Sequence, residues 1–304
     1  MFTRRSVLVP LLLGPLSPRL LLSEPQAALS SALAAIAARC RGRLGCAVLD
    51  LATGKRSGLH LDERFPMCST FKFLVAACVL KRVEENKEQL DRRIVYTRAD
   101  LLSYAPVTQQ HVADGMTVSQ LAEAAMTVSD NTAANLLLVS LGGPPALNVF
   151  LRSIGDTTTR LDRTEPTLNE CQPGDPRDTT TPSAMLENLR RILLGNVLTF
   201  SCRVMLTNWL MASTTGTARI RAGLPNTWKA GDKTGTGEHG TTNDIAILWP
   251  PHRAPVLVTT YLTQSSLDSD SRNAILADVG RAIANVFTSA SADQGKPMLA
   301  PPEL

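Results

Sequence analysis

The pattern of apolar and polar residues predicts strands near both ends of the chain and helices between them. Short apolar stretches bounded by turn residues indicate strands, and apolar residues repeated at helical spacing indicate helices. Five strands are predicted, at residues 44–49, 55–61, 228–234, 245–249 and 256–262. Eight helices are predicted, at residues 29–39, 69–82, 118–128, 132–141, 145–153, 182–194, 202–212 and 272–287.

This order predicts an α/β (α+β) fold with an antiparallel five-stranded sheet flanked by helices. Because the strands come from both ends of the chain, the sheet lobe is expected to comprise residues 29–61 and 213–290. The helical lobe, residues 62–212, is then an insertion, and the active site is expected in the cleft between the lobes. Residues 291–304 are expected to form a disordered tail.

Residues 1–28 are predicted to be an export signal. Arg4 and Arg5 precede an apolar run that prolines and Arg19 interrupt, and cleavage is expected somewhere within residues 23–28. Adjacent arginines occur in twin-arginine signals and in Sec signals, so both routes stay open. The run is too short and too broken for a secure membrane span. We therefore expect export to the bacterial periplasm, without stable membrane association after processing.

Composition excludes several other classes of protein. The net charge of +4 is small, and no cluster of Lys and Arg with interleaved aromatic residues indicates a nucleic-acid partner. The four histidines form no zinc-binding motif, so neither a metal nor an organic cofactor is expected. The six cysteines would suit an oxidising compartment, but their pairing stays open and at most one or two bridges are expected.

Ser69 and Lys72 form the first candidate catalytic pair. On a helix their spacing puts both side chains on one face, and a desolvated lysine can supply or relay the base that a serine nucleophile needs. Such a spacing arises by chance about once in a chain of this length, and the alternative is a helix cap with a surface lysine. The predicted helix is apolar nearly all round, however, so Lys72 is expected to be buried and to need partners.

Ser129-Asp130-Asn131 and Lys233-Thr234-Gly235 are the second and third candidate motifs. The first lies in a short connection between predicted helices, where the alternative is a cap and turn. The second follows a predicted strand, and its glycine would let a substrate approach the strand edge closely, the alternative being a β-turn with a solvated lysine. Each tripeptide has a chance frequency on the order of one in twenty per chain, so all three motifs together are hard to attribute to chance.

Together these motifs resemble those of the class A serine β-lactamases and their penicillin-binding relatives. The resemblance runs from about residue 44 to residue 286 and implies a β-lactamase/transpeptidase-like fold. The segment 165–169, Glu-Pro-Thr-Leu-Asn, resembles the Glu-bearing loop of class A enzymes, which penicillin-binding transpeptidases lack. Arg163 and Asp178 match the salt bridge that frames this loop in the family.

The resemblance also implies the role of each site residue. Ser69 would open the β-lactam ring, its proton passing to Lys72 or, through a water, to Glu165. Ser129 would protonate the leaving nitrogen, and backbone N–H groups of Ser69 and Thr236 would form the oxyanion hole. Asp130 is expected to brace the loop that presents its neighbours. The implied catalytic residues are Ser69, Lys72, Ser129 and Glu165, and the implied substrate-binding residues are Tyr104, Asn131, Asn169, Arg219, Lys233, Thr234, Gly235 and Thr236.

Two positions depart from the family pattern. Thr167 stands where Glu is common, which puts the usual side-chain contacts of the loop in doubt. Cys68 stands where carbapenem-active members can have a disulfide, but the partner position is Gly237, so that bridge is expected to be absent.

The expected substrates are penicillins and cephalosporins rather than carbapenems. The protein is expected to be a monomer that confers β-lactam resistance.

Two alternatives use the same serine chemistry. A penicillin-binding sensor domain would be acylated at Ser69 without turning over, and a D,D-peptidase would act on peptidoglycan and release penicillin slowly. The Glu165 loop argues against both, because the resemblance implies that Glu165 activates the water that clears the acyl-enzyme.

Overall fold

The computed structural model describes residues 24–289. Most of the predicted export signal and all of the predicted tail therefore lie outside the described residues. The first helix begins at Glu24, within the last residues of the predicted signal. The described range contains eight α-helices: α1 (Glu24–Ala37), α2 (Phe71–Glu84), α3 (Val118–Thr127), α4 (Asn131–Leu141), α5 (Pro144–Ser153), α6 (Pro182–Leu193), α7 (Phe200–Met211) and α8 (Ser269–Ser289).

The strands belong to one large sheet and two small ones. The described range contains nine strands: β1 (Arg43–Asp50), β2 (Arg56–Leu59), β3 (Phe65–Pro66), β4 (Arg93–Ile94), β5 (Met116–Thr117), β6 (Thr179–Thr180), β7 (Lys229–Gly237), β8 (Thr241–Trp249) and β9 (Val256–Thr263). The large sheet is antiparallel and has the order β2-β1-β9-β8-β7, which confirms the predicted five-stranded sheet. Strand β7, which carries the Lys233 motif, is an edge strand of this sheet.

The sheet separates two hydrophobic cores, and the alternation of side chains along β1 serves both. Ala47 and Leu49 pack into the core shared with the helical segment, whereas Cys46 and Val48 pack into the core beneath α1 and α8. Successive side chains of a strand point to opposite faces, so a continuous apolar run is needed where both faces are covered. All residues of β1 after Arg43 are buried, as this arrangement requires.

Helix α2 crosses the centre of the helical core. Its residues from Phe71 to Leu80 are all buried, which confirms the prediction of an internal helix. A 3₁₀ turn, Cys68–Thr70, leads directly into it. The core around α2 is built from residues of α3, α4, α5, α6 and α7, so the position of its first turn is fixed by packing from several directions.

The bounds of two strands differ from the prediction at the cleft. Strand β7 continues to Gly237 and β8 begins at Thr241, four residues before the predicted start. The extra residues of β8, Thr241 to Asp244, are polar yet buried. An apolar pattern therefore does not indicate these residues. The two-residue strand pairs β3–β6 and β4–β5 also lack an apolar pattern and were not predicted from the sequence.

No single helix among the described residues is long and apolar enough to cross a membrane. Helices α4 and α5 pass the same test of length and composition only as a pair, with an angle of 72° between them. Leu137 of α4 and Leu147 of α5 are fully buried in the helical core.

Candidate active site

The candidate nucleophile lies in the 3₁₀ turn at the start of α2. Ser69 is 8% exposed, and its Oγ donates a hydrogen bond to Oε1 of Glu165 at 3.2 Å. Asn243 of β8 donates through Nδ2 to the carbonyl of Pro66 at 2.8 Å and to that of Met67 at 3.1 Å. The sheet therefore holds the turn from one side while the carboxylate approaches its serine.

Lys72 is completely buried one turn further along α2. Its Nζ donates to the Ser129 carbonyl at 2.8 Å and to Asn131 Oδ1 at 2.6 Å, and it lies 3.1 Å from Glu165 Oε1. Burial lowers the pKa of Lys72, while the neighbouring Glu165 carboxylate opposes that shift. The alternative of a surface lysine is therefore wrong.

In the second motif, Ser129 faces the two lysines of the cleft and Asp130 stabilises the surrounding backbone. Ser129 adopts a left-handed φ of 61°, and its hydroxyl lies 3.3 Å from Lys72 Nζ and 2.9 Å from Lys233 Nζ. The Asp130 carboxylate caps α4 through the Ala133 N–H at 2.9 Å and accepts from the Thr108 N–H, also at 2.9 Å. The prediction that Asp130 braces this region is confirmed.

Lys233 is the second completely buried lysine of the cleft. Its Nζ donates to Ser129 Oγ and, at 3.0 Å, to the carbonyl of Thr234. Burial holds the pKa of Lys233 well below its usual value, and the nearby charge of Lys72 lowers it further. The alternative of a solvated lysine in a turn is wrong here too.

Position 235 has no room for a side chain, because the turn that carries Ser69 packs directly against β7. A Cβ at this position would lie 2.7 Å from the Met67 carbonyl oxygen and 3.1 Å from Cys68 Cβ. The predicted close approach to β7 is therefore made by the turn that carries Ser69. A side chain at Gly235 would push these two elements apart.

Arg219 lies behind β7 and connects it to β8 and α8 by hydrogen bonds. Its guanidinium donates to the carbonyls of Gly235 at 2.9 Å and Asn243 at 2.7 Å, and to Thr236 Oγ1 at 2.7 Å. Its Nε donates to Asn273 Oδ1 at 3.1 Å. Burial lowers the pKa of Arg219, with the Asp244 carboxylate opposing the shift.

The hydroxyl of Thr234 forms a hydrogen bond with the hydroxyl of Thr215 at 2.6 Å.

The Glu165 loop is fixed at both ends and in the middle. Arg163 Nε lies 2.5 Å from Asp178 Oδ2, so the expected frame is present. Asn169 Nδ2 donates to Glu165 Oε2 at 2.5 Å. Asn135 of α4 pairs with the backbone of Glu165, donating to its carbonyl at 2.9 Å and accepting from its N–H at 3.0 Å. Asn135 was not predicted as a site residue, because an isolated asparagine within a helix belongs to no motif.

Tyr104, a predicted site residue, and Thr167 lie at the margins of the site. Tyr104 is 49% exposed, and its carbonyl accepts from the Asn131 N–H at 3.0 Å. Thr167, the departure from the family pattern, is exposed and donates only to the Thr164 carbonyl at 3.2 Å. Glu170 makes a further ion pair within the loop, 2.5 Å from Arg163. The loop thus keeps its frame without a carboxylate at position 167.

Among residues 24–289, no group of three or more His, Cys, Asp or Glu side chains could hold a metal ion.

Comparison with known proteins identifies the family. A model of the β-lactamase enzyme family matches residues 28–287. The chain is 49% identical over 255 residues to β-lactamase CTX-M-8 of Citrobacter amalonaticus, covering 84% of this chain and 88% of that protein. It is 48% identical over 256 residues to β-lactamase OXY-1 of Klebsiella oxytoca, with the same coverage. An ancestral class A β-lactamase, GNCA, superposes with a TM-score of 0.85 at 62% identity, covering 85% of this chain and 100% of that one. The chain therefore belongs to the class A serine β-lactamases, a family of hydrolases.

Proposed function

We propose that the protein hydrolyses penicillins and cephalosporins through an acyl-enzyme on Ser69 and thereby confers β-lactam resistance. One observation carries the mechanism: Glu165 Oε1 lies 3.2 Å from the Ser69 hydroxyl and 3.1 Å from Lys72 Nζ. A carboxylate in that position can serve both the attack on the ring and the later attack by water. The relatives named above are β-lactamases, which supports the substrate class.

Glu165 is the better placed acceptor for the Ser69 proton. The Ser69 hydroxyl donates directly to its carboxylate. Lys72 already donates to Ser129 and Asn131 and approaches Glu165, so its protons are all directed at acceptors and it serves as a charged ammonium. Attack of Ser69 Oγ on the lactam carbonyl then transfers one proton to Glu165. The developing oxyanion is stabilised by backbone N–H groups of Ser69 and Thr236, a contribution of about 3 kcal/mol.

Ser129 delivers the proton that the leaving nitrogen needs. Lys72 and Lys233 both donate toward its oxygen, at 3.3 Å and 2.9 Å. With the oxygen accepting from two ammonium groups, its own O–H is free to point toward the substrate. The proton given to the lactam nitrogen is replaced from Lys72, and Glu165 passes the proton it took from Ser69 to Lys72. Lys72 is then an ammonium again, and Glu165 is a carboxylate that can activate water.

The positive charge of the cleft recognises the substrate carboxylate. Lys233 and Arg219 supply the charge, and the hydroxyls of Thr234 and Thr236 supply hydrogen bonds. Asn131 holds the amide side chain of the substrate, and Tyr104 lines the wall of the cleft. Gly235 keeps β7 against the nucleophile turn, so these groups and Ser69 are held in one geometry.

Glu165 and Asn169 hold the hydrolytic water. Asn169 Oδ1 is buried and has no hydrogen-bond partner among the residues that the structure describes, so it can accept from a water molecule. Its Nδ2 meanwhile fixes Glu165 Oε2.

The protein is proposed to act as an exported monomer in the bacterial periplasm.

The test is hydrolysis of benzylpenicillin and of a chromogenic cephalosporin in a stopped-flow instrument, with mass spectrometry of the quenched protein. Many turnovers with little trapped adduct are expected. The Glu165→Ala variant is expected to acylate more slowly, with Lys72 accepting the Ser69 proton instead, and to deacylate more slowly still. One equivalent of adduct should therefore accumulate on Ser69, with turnover reduced at least about 10³-fold. One stable equivalent on the unaltered protein would favour the sensor or peptidase alternative, and fast turnover by Glu165→Ala would exclude Glu165 as the deacylation base.

A further inference from the structure

Two thiols that the proposed reaction does not use touch beneath the active site. Cys68 Sγ lies 3.4 Å from Cys171 Sγ, although 103 positions separate them in the chain. Cys68 is fully buried and Cys171 is 4% exposed. No second contact between thiols occurs among the described residues, where the remaining cysteines are buried singly, at positions 40, 46, 78 and 202.

The two thiols sit at the points where the catalytic elements meet. Cys68 directly precedes Ser69 in the 3₁₀ turn, and Cys171 follows Asn169 by two residues at the end of the Glu165 loop. Gly237 of β7 leaves them room, since a Cβ there would lie 2.7 Å from Cys68 Sγ and 2.5 Å from Cys171 Sγ. The absence of a side chain on the neighbouring strand therefore lets one thiol face the other.

We propose that Cys68 and Cys171 form a disulfide that ties the Glu165 loop to the nucleophile turn. Bond formation requires the sulfur atoms to approach to about 2.05 Å, a shift of little more than an ångström from their present contact. The pair differs from the bridge expected for carbapenem-active relatives, because the partner of Cys68 comes from the loop and not from β7. Its formation does not depend on the proposed hydrolysis.

The oxidant is a disulfide, either glutathione disulfide or the active-site disulfide of a thiol oxidase. The Cys171 thiolate attacks one sulfur of that disulfide and releases one thiolate. The Cys68 thiolate then attacks Cys171 Sγ in the mixed disulfide and releases the second. Two protein thiols thus lose two protons and two electrons, and the oxidant becomes two thiols.

Cys171 is the entry point for this exchange. The hydrogen bond from Cys68 lowers the pKa of Cys171, and the Thr241 hydroxyl, the Glu238 N–H and the charge of Arg163 act in the same direction. The same hydrogen bond and burial raise the pKa of Cys68. Cys171 is also the more exposed of the two, which favours it as the first sulfur to react.

The test is peptide mapping of the purified full chain after oxidation by glutathione disulfide. One sample is oxidised while folded and a second is refolded from the reduced, unfolded state in a glutathione redox buffer; both are alkylated before digestion. We expect a peptide pair linked through Cys68 and Cys171 that disappears on reduction. Cys78→Ala, which removes a buried thiol elsewhere in the helical core, is expected to keep the link, whereas Cys171→Ala is expected to lose it.

The melting temperature reports whether the bond acts as a tether. Closing a loop of this length should raise it by on the order of 5 °C in the oxidised protein relative to the reduced one, with no such difference in Cys171→Ala. A folded protein without the linked peptide in both samples would overturn the proposal, as would a bridge to a different cysteine or a linked protein with an unchanged melting temperature. None of these readouts needs β-lactam turnover, so failure of the proposed hydrolysis would be seen separately.

Discussion

Gly235 shows how one added carbon atom can change the geometry of the whole cleft. The Gly235→Ala variant would place its Cβ 2.7 Å from the Met67 carbonyl, so β7 and the nucleophile turn must separate. We expect a loss of about 1–3 kcal/mol in the free energy of unfolding. Because Ser69 and the Thr236 N–H would move apart, we also expect kcat/KM to fall by on the order of 10²-fold. Urea denaturation and steady-state kinetics measure the two effects.

Gly54→Ala is the matched control for this steric effect. Gly54 has a φ of 70° and no atom within 4 Å of its hypothetical Cβ, so the variant incurs only the backbone cost of a left-handed alanine, about 1 kcal/mol. It lies in the turn between β1 and β2, away from the cleft. We expect its kcat/KM to be unchanged. Equal kinetic losses in the two variants would show that general destabilisation, rather than displacement of β7, limits activity.

The Glu165 loop depends on helix α4 for its position, which leads to a prediction about Asn135. Asn135→Ala removes both hydrogen bonds to the Glu165 backbone. We expect a loss of about 1–3 kcal/mol in the free energy of unfolding. Deacylation should slow by at least about 10-fold, because the carboxylate that activates water is no longer held. Single-turnover kinetics with mass spectrometry would show the acyl-enzyme accumulating.

Asn148 offers a matched control on the neighbouring helix α5. It makes the same pair of bonds with the backbone of Leu161, donating at 2.7 Å and accepting at 2.9 Å. Asn148→Ala should therefore cost a similar free energy of unfolding while leaving the deacylation rate unchanged. If both variants slowed deacylation alike, Asn135 would have no positioning role beyond stabilising the fold.

The elements that sequence predicted well are those whose side chains are apolar. Helix α2 was found because its buried face extends all round, and the strands of the large sheet were found from their apolar runs. The start of β8 was not predicted because its buried residues there are polar. Asn243, for example, donates hydrogen bonds to backbone carbonyls of the turn that carries Ser69. Burial of polar groups is decided by tertiary partners, and a single sequence does not display these.

The site divides in the same way. The three motifs and the Glu165 loop were predicted because the chemistry dictates residue types at short spacing. Asn135 and Cys171 were not, because each acts through a partner distant in the chain, Glu165 for the first and Cys68 for the second. No local pattern could pair the two thiols, since the loop and the turn that bring them together are assembled only by the fold.

At the scale of the whole molecule, Glu187 joins the helical segment to the edge of the sheet. Its carboxylate accepts from Arg190 at 2.6 Å and Arg191 at 2.7 Å on α6, and from Arg56 on β2 at 2.5 Å. These three partners lower the pKa of Glu187 to about 2, with Arg190 contributing most. Since the folded pKa lies below the unfolded value of 4.5, the stabilisation is present above about pH 4.5 and is lost as the pH falls toward 2.

Glu187→Gln should therefore lower the free energy of unfolding at pH 7 by about 1–2 kcal/mol, after allowance for solvent screening of the partly exposed arginines. The difference from the unaltered protein should shrink steadily between pH 5 and pH 2, because there the native carboxylate becomes protonated as well. Glu85→Gln is the control, since Glu85 is exposed and pairs with Lys87 at 2.8 Å on one surface of the helical segment. It should give no measurable change at either pH. A Glu187→Gln difference that stayed constant from pH 7 to pH 2 would mean that packing of the side chain, and not its charge, connects α6 to β2.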